Sequence, residues 1–570
     1  MTPADLAAGA APLSHLIMAP IVLPLLAAAL LLFVSERRHG LKAAVGLAAT
    51  AANLVVAVML FSRANHGEGP SAWSVYLPSN WDVPFGIVLV LDRLSALMLL
   101  LAALVALMAL LFAVARWHKA GAHFQVLFQI QVMGLNGAFL TGDLFNLFVF
   151  FEVMLAASYG LLLHGSGPAR VRAGLHYLTI NLAASSLFLV GAALIYGISG
   201  TLNLADLAAR IPLLPATDRP LLHAGCAILG VAFLAKAAMW PLDFWLVPAY
   251  ASASGPSAAV FALLTKVGIY VLLRLSTLLF SPSAGESAGF GGAWLVGGGI
   301  LTLAFGALGM LGAQRPARVA SYAVIVSSGT LMAVLGLAQP RLTAAALIYL
   351  PASTLAVAAF FLLAELMDRS RSTDPAARRA PEDEEDHLPF ALASQDLATG
   401  TNLDDDENAL VGEAIPASTA LLGLAFVACA LLVSGLPPLS GFIGKFAMLS
   451  ALLDTPAPAG ALRWGLLALI VASGLVALIA LSRVGIRFFW TPVDRDAPVL
   501  RVVEYLPIAL LVGACVLITV RAESVSRFAT ATAGALHRPQ GYVDAVRSTR
   551  PLPTATNAER LGLPLPGAAR

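Results

Sequence analysis

Apolar residues run along this chain in long blocks. They do not alternate as in a half-buried strand, nor form the narrow stripe of a soluble amphipathic helix. Most blocks approach the roughly 20 mainly apolar residues that a spanning helix needs, and about fourteen can be marked. They are Leu16–Val34, Leu41–Phe61, Leu94–Ala115, Phe124–Leu140, Leu144–Leu163, Leu175–Ile198, Leu222–Met239, Pro256–Phe280, Trp294–Gly312, Val319–Leu337, Leu342–Met367, Pro416–Leu453, Leu462–Phe489 and Tyr505–Val520. The twelfth is long and interrupted. The short connections after odd-numbered spans are basic: Arg37, Arg38 and Lys42; Arg116 and Lys119; Arg170 and Arg172; Arg315 and Arg318; Arg483, Arg487 and Arg495. Basic short loops stay on the cytoplasmic side. Both termini are therefore expected outside, as an even number of spans requires.

Composition sharpens the picture. Of 570 residues, 59% are hydrophobic and only 12% charged, with a mean hydropathy of +0.85; soluble domains carry about 25% charged residues. Lipid must be the solvent, and an all-α polytopic bundle fits better than a string of soluble domains. A net charge of +2 gives no reason to expect nucleic acid. Cys226, Cys429 and Cys515 lie in apolar runs without metal-ligand spacing, so no metal is expected. The absence of a phosphate-binding glycine loop argues against an ATPase or dehydrogenase, so no cofactor is expected. The first fifteen residues hold no Lys or Arg, so the first span reads as a retained helix.

Three other stretches differ from the spans. Asp368–Glu413 is highly charged and reads as a solvated linker or a docking tail on the cytoplasmic side. Thr201–Ile211 places leucines at near-helical spacing and reads as an interfacial amphipathic helix. The tail after Arg521, with its prolines and scattered arginines, carries no readable signal.

The candidate chemistry is a set of charges inside the spans. An ionisable residue near the bilayer centre costs about 2.5–3.5 kcal/mol on insertion scales, so such residues are paired, hydrated or functional. Glu152 sits in LFNLFVFFEVMLAASYGLLL; it is either a switchable proton carrier with a cation nearby or a structural hydrogen-bond acceptor. Lys236 lies just before Pro241, which must break or kink the seventh span. Broken helices line hydrated cavities, where a lysine can exchange protons; the alternative is an interfacial snorkelling lysine. Lys266 is flanked by apolar turns, with Thr265 and Tyr270 placed to hydrate it, or it is a structural cation against a helix end. Arg274 reads as a snorkelling anchor at the membrane edge. Lys445 follows Pro437 and Pro438 in a second broken span. Two lysines at two helix breaks, in corresponding places of two halves, point to a transport site. The residues alone imply a proton or ion pathway.

The strings TGDLFNLFVFFEVMLAASYGLLLHG, FLAKAAMWPLDFWLVPAYASASGPSAAVFALLTKVGIYVLLRL and SGLPPLSGFIGKFAMLSALL resemble the antiporter-like subunits of respiratory complex I and of multisubunit cation/proton antiporters. The resemblance spans Leu94 to Phe489. It is strongest to the D-type subunit of the Mrp-type (Mnh or Pha) antiporter, and SYAVIVSSGTLMAVLG from Ser321 resembles the Pha branch. It implies two inverted five-helix repeats with helices 7 and 12 broken. The implied organisation is 1–123 (helices 1–3), 124–280 (first repeat), 281–490 (second repeat, with the linker at 368–413) and 491–570 (last helix and tail). It implies a proton relay of Glu152, Lys236, Lys266 and Lys445. It further implies secondary transport of Na⁺ or K⁺ against H⁺ for pH homeostasis, in a multi-pass protein of the bacterial inner membrane with periplasmic termini. The implied partners are a large A-type or fused A/B subunit and small C-, E-, F- and G-type subunits. The alternatives are a proton-pumping module of a complex I or membrane-bound hydrogenase, and a structural scaffold. Two positions depart from the complex I pattern. Ser328 stands before Gly329 where a His is usual, and the eleventh span has no basic residue, only Glu365 near its cytoplasmic end.

Overall fold

The computed structural model describes residues 15–67, 72–372, 416–454, 460–489 and 500–552. The chain runs through α1 (Ala19–Phe33), α2 (His39–His66), β1 (Ser74–Tyr76), β2 (Leu89–Leu91), α3 (Arg93–Val114), α4 (Phe124–Leu140), α5 (Leu144–Leu163), α6 (Pro168–Ser199) and α7 (Leu204–Arg210). It continues through α8 (Arg219–Lys236), α9 (Leu246–Ser252), α10 (Gly255–Leu279), α11 (Gly292–Gly312), α12 (Pro316–Leu335) and α13 (Pro340–Ser372). The last part comprises α14 (Ala417–Ser434), α15 (Ser440–Leu453), α16 (Gly460–Phe489), α17 (Val502–Val520), α18 (Ala522–Leu536) and α19 (Gln540–Ser548). Among the described residues, 12 helices are long and apolar enough to cross a membrane, and α1, α4 and α15 are shorter apolar helices. Each predicted span coincides with a helix or, for the twelfth, with the broken pair α14 and α15.

Local chemistry sets the boundaries. Asp92 and Ser95 form a reciprocal capping box at the start of α3, each accepting at 2.8 Å from the other's backbone N–H. Asp143 caps α5 through the amides of Phe145 and Asn146. Proline occupies the first turn of α6, α8, α10 and α12, where its missing N–H costs nothing. Pro24 lies inside α1 and leaves the Pro20 carbonyl without its helical donor; Asn136 Nδ2 supplies one at 2.7 Å.

The core lies around the span that carries Lys266. Every residue in the most apolar stretch of α13 is buried, as are 89% of those in α10 and α12, against 28% in α2 and α17. The helices carrying Lys266 and the serines facing it thus form the centre, shielded from lipid.

Several expectations need correction. Thr201–Ile211 does form a short helix, but Leu204, Leu207 and Ile211 are buried under α10 and α19 rather than facing lipid. Of the charged segment 368–413, residues 368–372 continue α13, and Arg369 pairs with Glu504 at 2.5 Å; 373–413 lie outside the described residues. The tail after Arg521 folds into α18, packed on α13, and α19. Residues 74–91 form an antiparallel hairpin that hydropathy did not predict.

Candidate functional site

Both proline-marked spans are broken. Helix α8 ends at Lys236, and Pro241 lies in the irregular stretch before α9. Helix α14 ends at Ser434, and Pro437 and Pro438 lie in the stretch before α15. The last carbonyls of a helix lack intrahelical partners and carry the negative end of its dipole, so a break is a place to hold a cation inside a membrane.

Lys236 is the last residue of α8 and is 7% exposed, which excludes a snorkelling position. Its Nζ lies 4.8 Å from the centre of the Phe151 ring and donates to Asn181 Oδ1 at 3.4 Å. Ser185, one turn further along α6, donates a short hydrogen bond to Glu152 Oε1. Glu152 and Lys236 are thus linked through neighbouring polar residues of α6, and the carboxylate attracts the ammonium without a direct ion pair. Glu152 does accept the structural hydrogen bond considered above, but it also faces its cation. A cavity of about 20 Å³ adjoins Lys236, between Tyr177, Asn181, Trp245 and Leu264. One water needs about 10–15 Å³.

Lys266, on α10, is 2% exposed. Its Nζ donates to Ser327 Oγ at 2.9 Å and to Ser328 Oγ at 3.5 Å, both on α12. Ser327 Oγ in turn donates to Ser353 Oγ on α13 at 2.9 Å. Neither residue expected to hydrate Lys266 does so: Tyr270 donates to the Phe139 carbonyl and Thr265 to that of Ala262. Tyr349, one turn before Ser353 on the same helix, packs against Gly444, the neighbour of Lys445. The two departures from the complex I pattern are therefore filled by hydroxyls from α12 and α13.

Lys445 is 7% exposed, and its Nζ donates at 2.9 Å to the carbonyl of Ser434, the last residue of α14. Its side chain lies against Gly435 and Gly474, where the missing Cβ atoms leave room.

Arg274 is not an edge anchor. It is 6% exposed and grips Asp92 with two hydrogen bonds of 2.6 and 2.8 Å. Glu365 caps the start of α10 by accepting from Gly255 N at 3.1 Å and also accepts from Trp117 Nε1 at 3.2 Å. It does not replace the missing base of the eleventh span. Among the described residues, no group of His, Cys, Asp and Glu could hold a metal ion.

The chain resembles known proteins in both sequence and fold. Residues 141–380 match the family described as "NADH:quinone oxidoreductase/Mrp antiporter, TM". The chain is 52% identical over 542 residues to the probable K(+)/H(+) antiporter D-type subunit of Rhizobium meliloti (strain 1021), covering 94% of this chain and 98% of the relative. The chain belongs to the family of D-type antiporter subunits. The Na(+)/H(+) antiporter D-type subunit of Alkalihalophilus pseudofirmus is 32% identical over 94% of this chain and 99% of its own length. Among solved structures, the Mrp complex from Dietzia sp. DQ12-45-1b contains a chain that superposes with a TM-score of 0.78 at 25% identity, covering 94% of this chain and 99% of that one. Membership of this family gives the chain's class: a polytopic helical subunit of a transporter, not an enzyme.

Proposed function

We propose that this chain is the proton-translocating subunit of a multisubunit monovalent cation/proton antiporter, and that protons move along Glu152, Lys236, Lys266 and Lys445. The observation that carries this reading is the burial of three lysines along the bundle, two of them at the helix breaks, each held by its own polar partners. Glu152 and Lys236 meet through Ser185 and Asn181, and Lys266 reaches Ser353 through Ser327. When one ammonium gains a proton, repulsion drives its neighbour to release one. The greater identity to the relative named for K⁺/H⁺ antiport supports potassium as the exchanged cation.

Assembly with large A-type and small C-, E-, F- and G-type subunits follows from this reading. Glu152 supports it, because this carboxylate is only partly buried while the three lysines are buried. A mid-span carboxylate at the edge of a bundle calls for a neighbouring polypeptide rather than lipid. The four-part organisation, with inverted repeats at 124–280 and 281–490, is supported by the two breaks, which fall in the seventh and twelfth spans. The basic loops support a bacterial inner-membrane topology with both termini periplasmic.

The deciding experiment is antiport in everted vesicles carrying the whole complex, with K⁺ and Na⁺ tested separately. Exchange lost in Glu152→Ala, with the complex still assembled, supports the relay; near-native exchange refutes it. A tag inserted between 373 and 413 should label from the cytoplasm.

A further inference from the structure

The relay does not say how a proton reaches Lys236 from water. The stretch Met239–Trp245, which separates α8 from α9, forms a wall with two different faces. On one face, Trp245 lines the cavity of Lys236 and donates from its indole to the Ala235 carbonyl at 3.3 Å. On the other, Asp243 and Phe244 line a separate cleft of about 580 Å³, completed by Gly309 and Gly312 of α11 and by Arg318 and Tyr322 of α12. The cleft lies where α11 passes into α12, beside the basic connection that holds Arg315 and Arg318.

Asp243 is unusual in this position. It is 2% exposed, and among the described residues its Oδ2 has no hydrogen-bond partner. It does not cap the helix that follows, since α9 starts from Trp245 without a side-chain cap. A buried carboxylate oxygen left without a donor is unfavourable unless water or a proton reaches it. Among the described residues, the charged or titratable groups that share the cleft with it are Arg318 and Tyr322 from α12; Arg483 and Arg487 of α16 donate to Leu311 and Gln314 at its rim, and Lys236, seven residues earlier in the chain, lines the separate cavity on the other face of the wall. Helices α9 and α11 contribute only apolar residues and glycines to the cleft.

We infer that Asp243 is the aqueous-side proton acceptor of this chain: its carboxylate takes a proton from water in the Asp243–Arg318–Tyr322 cleft and passes it through the helix break to Lys236. The new O–H bond forms on Asp243 as hydronium returns to water; it breaks as the Lys236 amine becomes ammonium. This rests on the relay proposed above, and it adds the residue through which that relay meets the solvent.

The test measures antiport by the full complex in everted vesicles, as a function of pH and of cation concentration. Asp243→Asn should lose about tenfold in rate at alkaline pH, where protons are scarce. That is less than the 100-fold typical of an acid–base group, because water in an open cleft can partly substitute. The loss should shrink at acidic pH, the KM for the cation should stay native, and Asp243→Glu should restore the profile. Gly312→Leu narrows the cleft without touching Asp243, since a Cβ at Gly312 meets nothing within 4 Å, and should reproduce the alkaline loss even if the Asn variant fails to assemble. A native pH profile in both Asp243→Asn and Gly312→Leu overturns the inference. So does a raised cation KM with an unchanged pH profile, which would make the cleft a cation site. Glu152→Ala, measured in parallel, separates the outcomes: if it too is silent, the relay itself is wrong.

Discussion

The two helix breaks hold their lysines in the same electrostatic setting by opposite routes. Lys236 is the last residue of the half-helix whose C-terminal end it occupies. Lys445 belongs to the following half-helix, α15, and reaches back to the last carbonyl of α14. In both, an ammonium sits where helix carbonyls run out and the dipole is negative. Their counter-groups differ. Lys236 has a formal anion within electrostatic reach, Glu152, together with the Phe151 ring and the Asn181 amide. Lys445 is held by a backbone carbonyl, with glycines at its sides. The first break suits a proton carrier whose charge is balanced by a partner that itself titrates. The second suits a terminal site whose charge, among the described residues, is balanced by fixed dipoles.

The largest way to break this comparison is to remove the anion. Glu152→Ala should reduce antiport by about 1,000-fold, within the range for loss of an acid–base group, while complex assembly, checked by co-purification, is largely retained. Next is a change that keeps charge but prevents proton release. Arginine stays protonated under all relevant conditions, so Lys236→Arg should assemble and yet transport about 100-fold more slowly. Lys236→Ala should lose both, since Glu152 would be left without its counter-charge. Lys445→Arg should also lose assembly, because Gly435 and Gly474 leave space for an amine but little for a guanidinium. A Lys236→Arg complex transporting at the native rate across the pH range would reduce Lys236 to a charge balancer.

How much of this was legible in the sequence follows from what each feature costs. Hydrocarbon demands about 20 apolar residues per span, so the spans stand out; charges in hydrocarbon are expensive, so Glu152, Lys236, Lys266 and Lys445 stand out too. Prolines marked both breaks because no helix interior tolerates them cheaply. Neutral partners are inexpensive in a helix and leave no such trace. Asn181, Ser185, Ser327 and Ser353 became visible only once α6, α12 and α13 were placed beside the charged helices. Arg274 was misread because its partner Asp92 lies 182 residues away in the chain. Asp243 went unnoticed because a carboxylate beside a proline break reads as an edge residue. Helices α18 and α19 were missed because they are short and mixed in composition.

A milder change addresses the ground between the breaks. Ser327→Ala removes the hydroxyl that joins Lys266 to Ser353, while Ser328 stays near the ammonium. The rate should fall by about tenfold, roughly one missing hydrogen bond of 1.4 kcal/mol, with thermal stability nearly unchanged. Ser327→Thr, which keeps the hydroxyl, should recover most of the rate. Equal rates in Ser327→Ala and the native complex would mean that protons cross between the two halves by another route.

The smallest expected effect concerns how each break turns. Each contains one residue in the left-handed region: Ala238 at φ +56° in the first and Gly435 at φ +74° in the second. Gly435→Ala introduces a side chain where the backbone disfavours one, at a cost of about 1–2 kcal/mol. Its Cβ would also lie 2.6 Å from Lys445 Cδ, pushing the ammonium away from the Ser434 carbonyl. Ala238→Gly does the reverse: it relieves a similar backbone cost but deletes a fully buried methyl worth about 0.8 kcal/mol, so the two nearly cancel. Thermal unfolding of the purified complex should therefore drop measurably for Gly435→Ala and hardly move for Ala238→Gly. Transport should fall in the first only, since Lys236 is anchored by its own half-helix and does not depend on the residue that turns the chain. If Ala238→Gly instead slows transport as much as Gly435→Ala does, the two lysines are positioned in the same way and the contrast between the breaks disappears.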